Sequence, residues 1–222
     1  LPARLPRGRR RGRSQREPAL TMRDERRLLR LLEWVVEIDP DAVDGWVAAR
    51  RRRRPGASDA ALARSAFARA RLKATLSGVV SGLPGNPWIA LPAATVDVAL
   101  VLRVHALAAA RVAAIEDPGW LRVGGEVARW ELLVPVLGIE LDPACPVPAA
   151  ERHAATGRYA RKKGMKVFKK LVLKHFAKRV AKRAALGRSV PVLGAIIGGA
   201  WNFHEVARIR ERTLAHFAGA RA

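Results

Sequence analysis

The chain has 222 residues, half of them hydrophobic, and a formal charge of +23. It is long and apolar enough to bury a core, which excludes a disordered chain, and its wealth of Ala, Leu and Val with few Tyr and Phe favours helix over sheet. One cysteine, Cys145, excludes an internal disulfide and a cysteine-based zinc site, and fits a reduced cytosolic setting.

The charge is unevenly placed. Leu1 to Arg16 holds seven Arg and no acid, and Arg152 to His204 holds fourteen Lys and Arg and no acid. The remainder is close to neutral. Cationic segments of this kind attract polyanions, of which nucleic acid and an anionic membrane leaflet are the two obvious ones, although a solvated helix face has the same composition.

Residues 1–21 are expected to form a disordered Arg-rich arm, or to lie upstream of the true start, with Met22 opening the first patterned segment. Thr21 followed by Asp24 has the look of a helix cap, and Leu28, Leu31, Leu32, Val35 and Val36 then recur on one helical face. The stretch "DPDAVDGWVAARRRRRPGASD" reads as a loop or short helix that ends in Arg50 to Arg54 and a Pro-Gly stop. Those arginines suit a phosphate contact and equally suit a helix C-terminus, where they complement the dipole. Ser58 is placed to cap a helix running to about Ser77.

Ala74 to Val96 has no charge in 23 residues, which is membrane-span length. Gly78, Gly82, Pro84, Gly85, Pro87 and Pro92 interrupt it, so the reading is a helix, a tight Gly/Pro loop, and a second helix started by Pro92 near its first turn and running to about Ile115. That second helix is apolar nearly all round, as either a buried core helix or one that dips into a membrane. Asp97, Arg103, His105 and Arg111 would be costly in lipid, and they favour the core. A turn at "DPGW" precedes a helix ending near Gly138, and a Pro-rich connection follows. A long basic helical region comes next, with breaks expected at Gly157 and Gly164 and a stop at Gly187. Pro191 starts a last helix that reaches about Phe217.

In the basic region Phe168, Leu171, Val172, Phe176 and Val180 fall on one side at helical spacing. Lys163, Lys166, Lys170, Lys174 and Lys178 fall on the other, and Arg179 and Lys182 intrude on the apolar side. Together with Lys169, those lysines form the candidate lipid- or polyanion-binding set. Each lysine near an anionic leaflet contributes on the order of 1 kcal/mol. Nucleic acid is the alternative partner, but the only interleaved aromatics are Tyr159, Phe168 and Phe176, and no helix-turn-helix, RNP or zinc-finger pattern occurs. The apolar stretch Ser189 to Phe203 carries Gly194 and Gly198 at a spacing that lets helices approach closely. Trp88 and Trp201 sit at the edges of the two apolar segments.

The motifs for catalysis are missing. His105, His153, His175, His204 and His216 show no paired-ligand spacing on one helix, and there is no phosphate loop, dinucleotide fingerprint or nucleophile elbow. The sequence therefore points to no catalytic residue, metal or cofactor. An enzyme would need a constellation assembled from distant residues such as Asp97, His105, His204 and Glu205. Asp97 itself reads as a satisfied buried carboxylate, set against Arg103, His105 or the last helix.

Two blocks resemble the EcsC family: "SGLPGNPWIALPAATVDVALVLRVHALAAARVAAI" and "KRVAKRAALGRSVPVLGAIIGGAWNFHEVARIRERTLAHF". The positions that carry the resemblance are Gly82, Pro84, Gly85, Pro92 and Asp97, then Pro191, Gly194, Gly198 and Asn202. The blocks cover about a third of the chain. Leu141 to Pro148 and the Arg-rich N-terminus depart from the family pattern. The resemblance implies membrane-linked work and an ABC-type transporter among the partners, and supplies no catalytic residue.

The expectation is thus an all-α protein, a single helical domain over residues 22–222. It would be a multi-helix bundle with a Gly/Pro-linked apolar hairpin and a long basic amphipathic helix. It would be non-enzymatic and cytoplasmic, either peripheral to the membrane or partly inserted, and would bind an anionic membrane surface or a membrane protein.

Overall fold

The structure, a computed structural model, describes residues 22–68, 70, 87–141, 147–148, 151–186 and 191–218, with backbone alone at 22, 87–91, 93, 185–186 and 191–203. The described residues are all-helical, and their helices pack together as a bundle. The arm before Met22, the Thr21 cap, the first limb of the hairpin with Gly82, Pro84 and Gly85, and Cys145 lie outside them.

α1 (Met22–Val36) starts with Asp24 and Glu25, which complement the positive end of its dipole. Leu32, Val35 and Val36 are buried, on the face that the spacing predicts. α2 (Pro40–Arg53) resolves the loop-or-helix ambiguity as 14 residues of helix. Asp39 caps it, accepting from the Asp41 amide at 2.9 Å, and Pro40 sits at a position with no intrahelical donor to lose. The arginine run closes the helix, with Arg50 to Arg53 in its last turn. Arg51 pairs with Asp59 at 3.0 Å and donates to the Ile115 carbonyl at 3.3 Å. Arg50 and Arg111 lie over the Trp46 ring, 5.5 and 4.7 Å from its centroid. The Ser58 hydroxyl accepts from Ala61 at 3.3 Å, and helix α3 (residues 59–68) buries Leu62, Ala63, Ala66 and Phe67.

α4 (Pro87–Glu116) is the axis of the bundle, packed against α1, α2 and most of the helices that follow. It starts at Pro87, so Pro92 is inside the helix rather than at its first turn. Pro87 takes the tolerated first position, and Pro92 follows early enough that it removes a bond close to the helix end. Ala94 to Glu116 is long and apolar enough to cross a membrane, and most of that stretch is buried inside the protein. Ala106, Ala108, Ala109, Ala110, Ala113 and Ala114 are all buried, and such small side chains let neighbouring helices come close.

α5 (Trp120–Glu131) and α6 (Leu133–Leu137) follow. Gly125, at φ 52° and ψ −129°, kinks α5 in a region that only glycine enters without strain. The kink lies between Trp120 and Trp130, and both are buried. α7 (Arg152–Lys163) and α8 (Met165–Leu186) meet at Gly164, where φ is 83°. Gly157 does not break the chain. It lies inside α7, because an interior helical glycine costs only about 1 kcal/mol. α9 (Pro191–Phe217) has the predicted limits, and its backbone carries Gly194, Gly198 and Asn202 in its first half. The side chains of Trp88, Trp201 and Asn202 are outside the described set.

Candidate functional site

α8 is two-sided, as its spacing requires. Phe168, Val172, Phe176 and Val180 are buried, with Leu171 partly buried beside them. Lys163, Lys166, Lys170, Lys174 and Lys178 are exposed. In α7, Arg158, Arg161 and Lys162 are exposed as well. Lys166, Lys170, Lys174 and Lys178 repeat every four residues, which spreads four ammonium groups over about 18 Å of one helix face. Val167 stands among them, 46% exposed.

Lys169 does not join this face, and its place in the predicted set is corrected. Its ammonium reaches Glu126 of α5 at 2.6 Å and Glu33 of α1 at 3.6 Å, and lies 5.1 Å from the Trp130 ring centroid. One hundred degrees per residue turns it towards α1 and α5, where two carboxylates and a π-face hold it.

The two basic residues on the apolar side are also accounted for. Arg179 pairs with Glu205 of α9 at 3.0 Å and donates to the Val136 carbonyl at 3.2 Å. Burial lowers its pKa, with Glu205 opposing that shift. Lys182 is exposed near the end of α8. Asp97, buried at 6%, accepts from Arg183 of α8 at 3.1 Å. Among the described residues its basic partner is thus on the basic helix. Arg103 instead donates to the Trp34 carbonyl and lies over the Trp34 ring. His105, 1% exposed, meets no hydrogen-bond partner at either ring nitrogen among the described residues. Burial is the main cause that lowers its pKa to about 3, and the charges of Arg179 and Arg212 add to the shift. Of the distant residues that an enzyme would have to assemble, Asp97 pairs with Arg183 and Glu205 with Arg179 among the described residues, and His204 is exposed.

A different set converges instead. Glu131 at the end of α5, His153 in the first turn of α7 and His216 at the end of α9 meet in the interior. The Oε1 atom of Glu131 lies 2.7 Å from His153 Nδ1 and 2.8 Å from His216 Nε2. Glu131 and His216 are each 2% exposed. The hydrogen bond to Glu131 raises the His153 pKa, against the effect of burial. Aromatic rings wall the cluster: Trp120 stands edge-on to His153 at 5.6 Å, and Phe217 to His216 at 4.8 Å. The sequence separations are 22 and 85 residues, so no spacing on a single helix announces the set. The one local signal is that each residue falls at a helix terminus. Structurally, the cluster ties α5, α7 and α9 together.

Comparison of the chain with protein-family models, with curated proteins and with solved structures finds no match.

Proposed function

We propose that this protein is a non-enzymatic, membrane-associated helical protein of the EcsC kind that binds an anionic lipid surface through α7 and α8. The reading is carried by one observation: Lys163, Lys166, Lys170, Lys174 and Lys178 form an exposed cationic face on a segment with no acid between Arg152 and Leu186. None of the five makes an ion pair among the described residues, so their charge is available to a partner. Five lysines at roughly 1 kcal/mol each are sufficient for reversible attachment to an anionic leaflet. Exposed Val167 supplies an apolar contact amid the ammonium groups, which suits an interface better than a phosphate backbone. The burial of α4 inside the bundle supports attachment at the surface rather than insertion of that helix.

The test is flotation of the full chain with vesicles of neutral lipid, and of neutral lipid containing anionic phosphatidylserine. Flotation with the anionic vesicles alone, lost in high salt, is the expected result. The triple change Lys166→Glu, Lys170→Glu and Lys174→Glu should weaken it by roughly 100-fold or more, at about 1 kcal/mol per lysine removed. Equal flotation of the triple variant, or none by the wild type on any lipid, refutes the proposal. Salt-sensitive binding to duplex DNA in place of lipid would turn the same face towards nucleic acid.

A further inference from the structure

The surface reading makes no use of Glu131, His153 and His216. We infer that these three residues form a binding site for a divalent transition-metal ion, zinc being the ion to test first, with Glu131 Oε1, His153 Nδ1 and His216 Nε2 as its protein ligands. The ligand-type atoms of the three side chains all lie within 4.8 Å of one another. Two imidazoles and one carboxylate are a donor set that holds zinc with three protein ligands and leaves a fourth position for water.

The direction of the side chains is the stronger argument. A carboxylate has two oxygens, and a purely structural arrangement can share its two donors between them. Here both rings aim at Oε1, at 2.7 and 2.8 Å. Three donor atoms are thereby brought to a single point. Zinc at about 2.0–2.1 Å from each ligand sets neighbouring ligand atoms about 3.3 Å apart in a tetrahedron. Each nitrogen–oxygen pair must then open by roughly half an ångström, a small rotation of one Glu and two His side chains. For each ring to bind as a neutral imidazole, the proton on the coordinating nitrogen must pass to the other ring nitrogen or, from an imidazolium, be released to solvent, which leaves one carboxylate and two neutral imidazoles as ligands. Trp120 and Phe217 hold the ring planes from the side.

Access also fits. His216 lines a cavity of about 360 Å³ that Val134, Leu141, Arg152, Thr156 and Arg212 help to enclose. It reaches the cluster at His216, the ligand of the three that is on its wall. The two guanidinium groups on its wall favour an anionic oxygen, such as hydroxide, in the fourth position.

The experiment uses the full chain, stripped with chelator and dialysed. Zinc is titrated in competition with a chromophoric chelator, and cobalt substitution is followed by visible absorption. One zinc per chain at micromolar affinity or tighter is expected. His153→Ala, His216→Ala and Glu131→Gln should each weaken it roughly 100-fold, the share of one ligand in a site of this kind. A control with His175→Ala and His204→Ala should bind as the wild type does. Circular dichroism checks that each variant folds, and His153, the most exposed of the three, provides a variant if His216→Ala does not. Wild-type protein that binds zinc no tighter than about 100 μM, or triad variants that keep the wild-type affinity, would overturn the inference.

Discussion

His105 offers the sharpest check on the packing of α4. Its ring is 1% exposed, and its pKa is lowered to about 3 by burial and then by the charges of Arg179 and Arg212. The unfolded chain takes up a proton near pH 6.5, the ordinary histidine value, whereas the folded protein resists it down to about 3. Between those limits the unfolded state binds more protons. Stability is therefore fully present above about pH 6.5 and falls as the pH drops towards 3. The slope for one group is about 1.4 kcal/mol per pH unit, so His105 alone removes about 2–3 kcal/mol between pH 6.5 and 4.5. His105→Leu keeps most of the volume and discards two nitrogens that have no hydrogen-bond partner among the described residues. At pH 7.5 the variant should lie within about 1 kcal/mol of the wild type. At pH 4.5 it should be more stable by about 2–3 kcal/mol than at pH 7.5, relative to the wild type. Urea unfolding at four pH values measures this. Taking the difference between the proteins cancels the carboxylates, and it cancels His153, whose raised pKa works in the opposite sense and supports folding most at low pH. Two stability curves that fall in parallel from pH 7.5 to 4.5 would refute the reasoning, because His105 would then titrate alike in the folded and unfolded chains.

Two further outcomes follow from the ion pairs. Lys169→Met should leave vesicle binding unchanged within a factor of about 2 while lowering the melting temperature, since its charge is held by Glu126 and Glu33 and not by the exposed face. Binding that falls as far as it does for Lys170→Met would put Lys169 back on the surface. Asp97→Asn should destabilise by about 3–5 kcal/mol in urea, because it takes the carboxylate charge away from the largely buried Arg183 guanidinium, whereas Asp97→Leu with Arg183→Met should restore most of that loss. A double variant as unstable as the single one would mean that Arg183 is not the partner that matters.

The legible part of the fold is the part fixed by local spacing. The faces of α1 and α8, the end of α9 near Phe217 and the turn at Gly164 follow from period and from glycine, and these are short-range rules. What failed is instructive for the same reason. Gly157 and Gly164 have the same letter, yet only Gly164 departs from helix, because the choice depends on where α7 must stop packing on α8. Lys169 differs from Lys170 by one position on a helix, and whether it is free depends on Glu126 and Glu33, which lie far away in sequence. Asp97 reads correctly as a satisfied buried carboxylate, but Arg183 is 86 residues distant and no periodicity links them. The Glu131 cluster is the extreme case. Three helix termini bring it together, and helix termini are placed by tertiary packing.

That cluster bears on the surface as well. α7 is twelve residues long: Thr156, Ala160, the partly buried Tyr159 and the half-buried His153 face inward, with Tyr159 edge-on to Phe168 of α8, while Arg158, Arg161 and Lys162 face out. A helix of this length is marginal by itself. Gly164 gives it no rigid continuation into α8. What fixes its first turn is the bond from His153 to Glu131 and the edge-on contact with Trp120. The basic side chains of α7 therefore depend for their position on the Tyr159 contact with Phe168 and on a buried polar contact at the other end of the same helix, whereas those of α8 rest on Phe168, Val172 and Phe176. Changes at Glu131 should be felt at Arg158 and Arg161 before they are felt at Lys170 or Lys174. The exposed lysines of α8 can thus be altered without touching the cluster, and α7 links the cluster to the exposed basic side chains at Arg158 and Arg161.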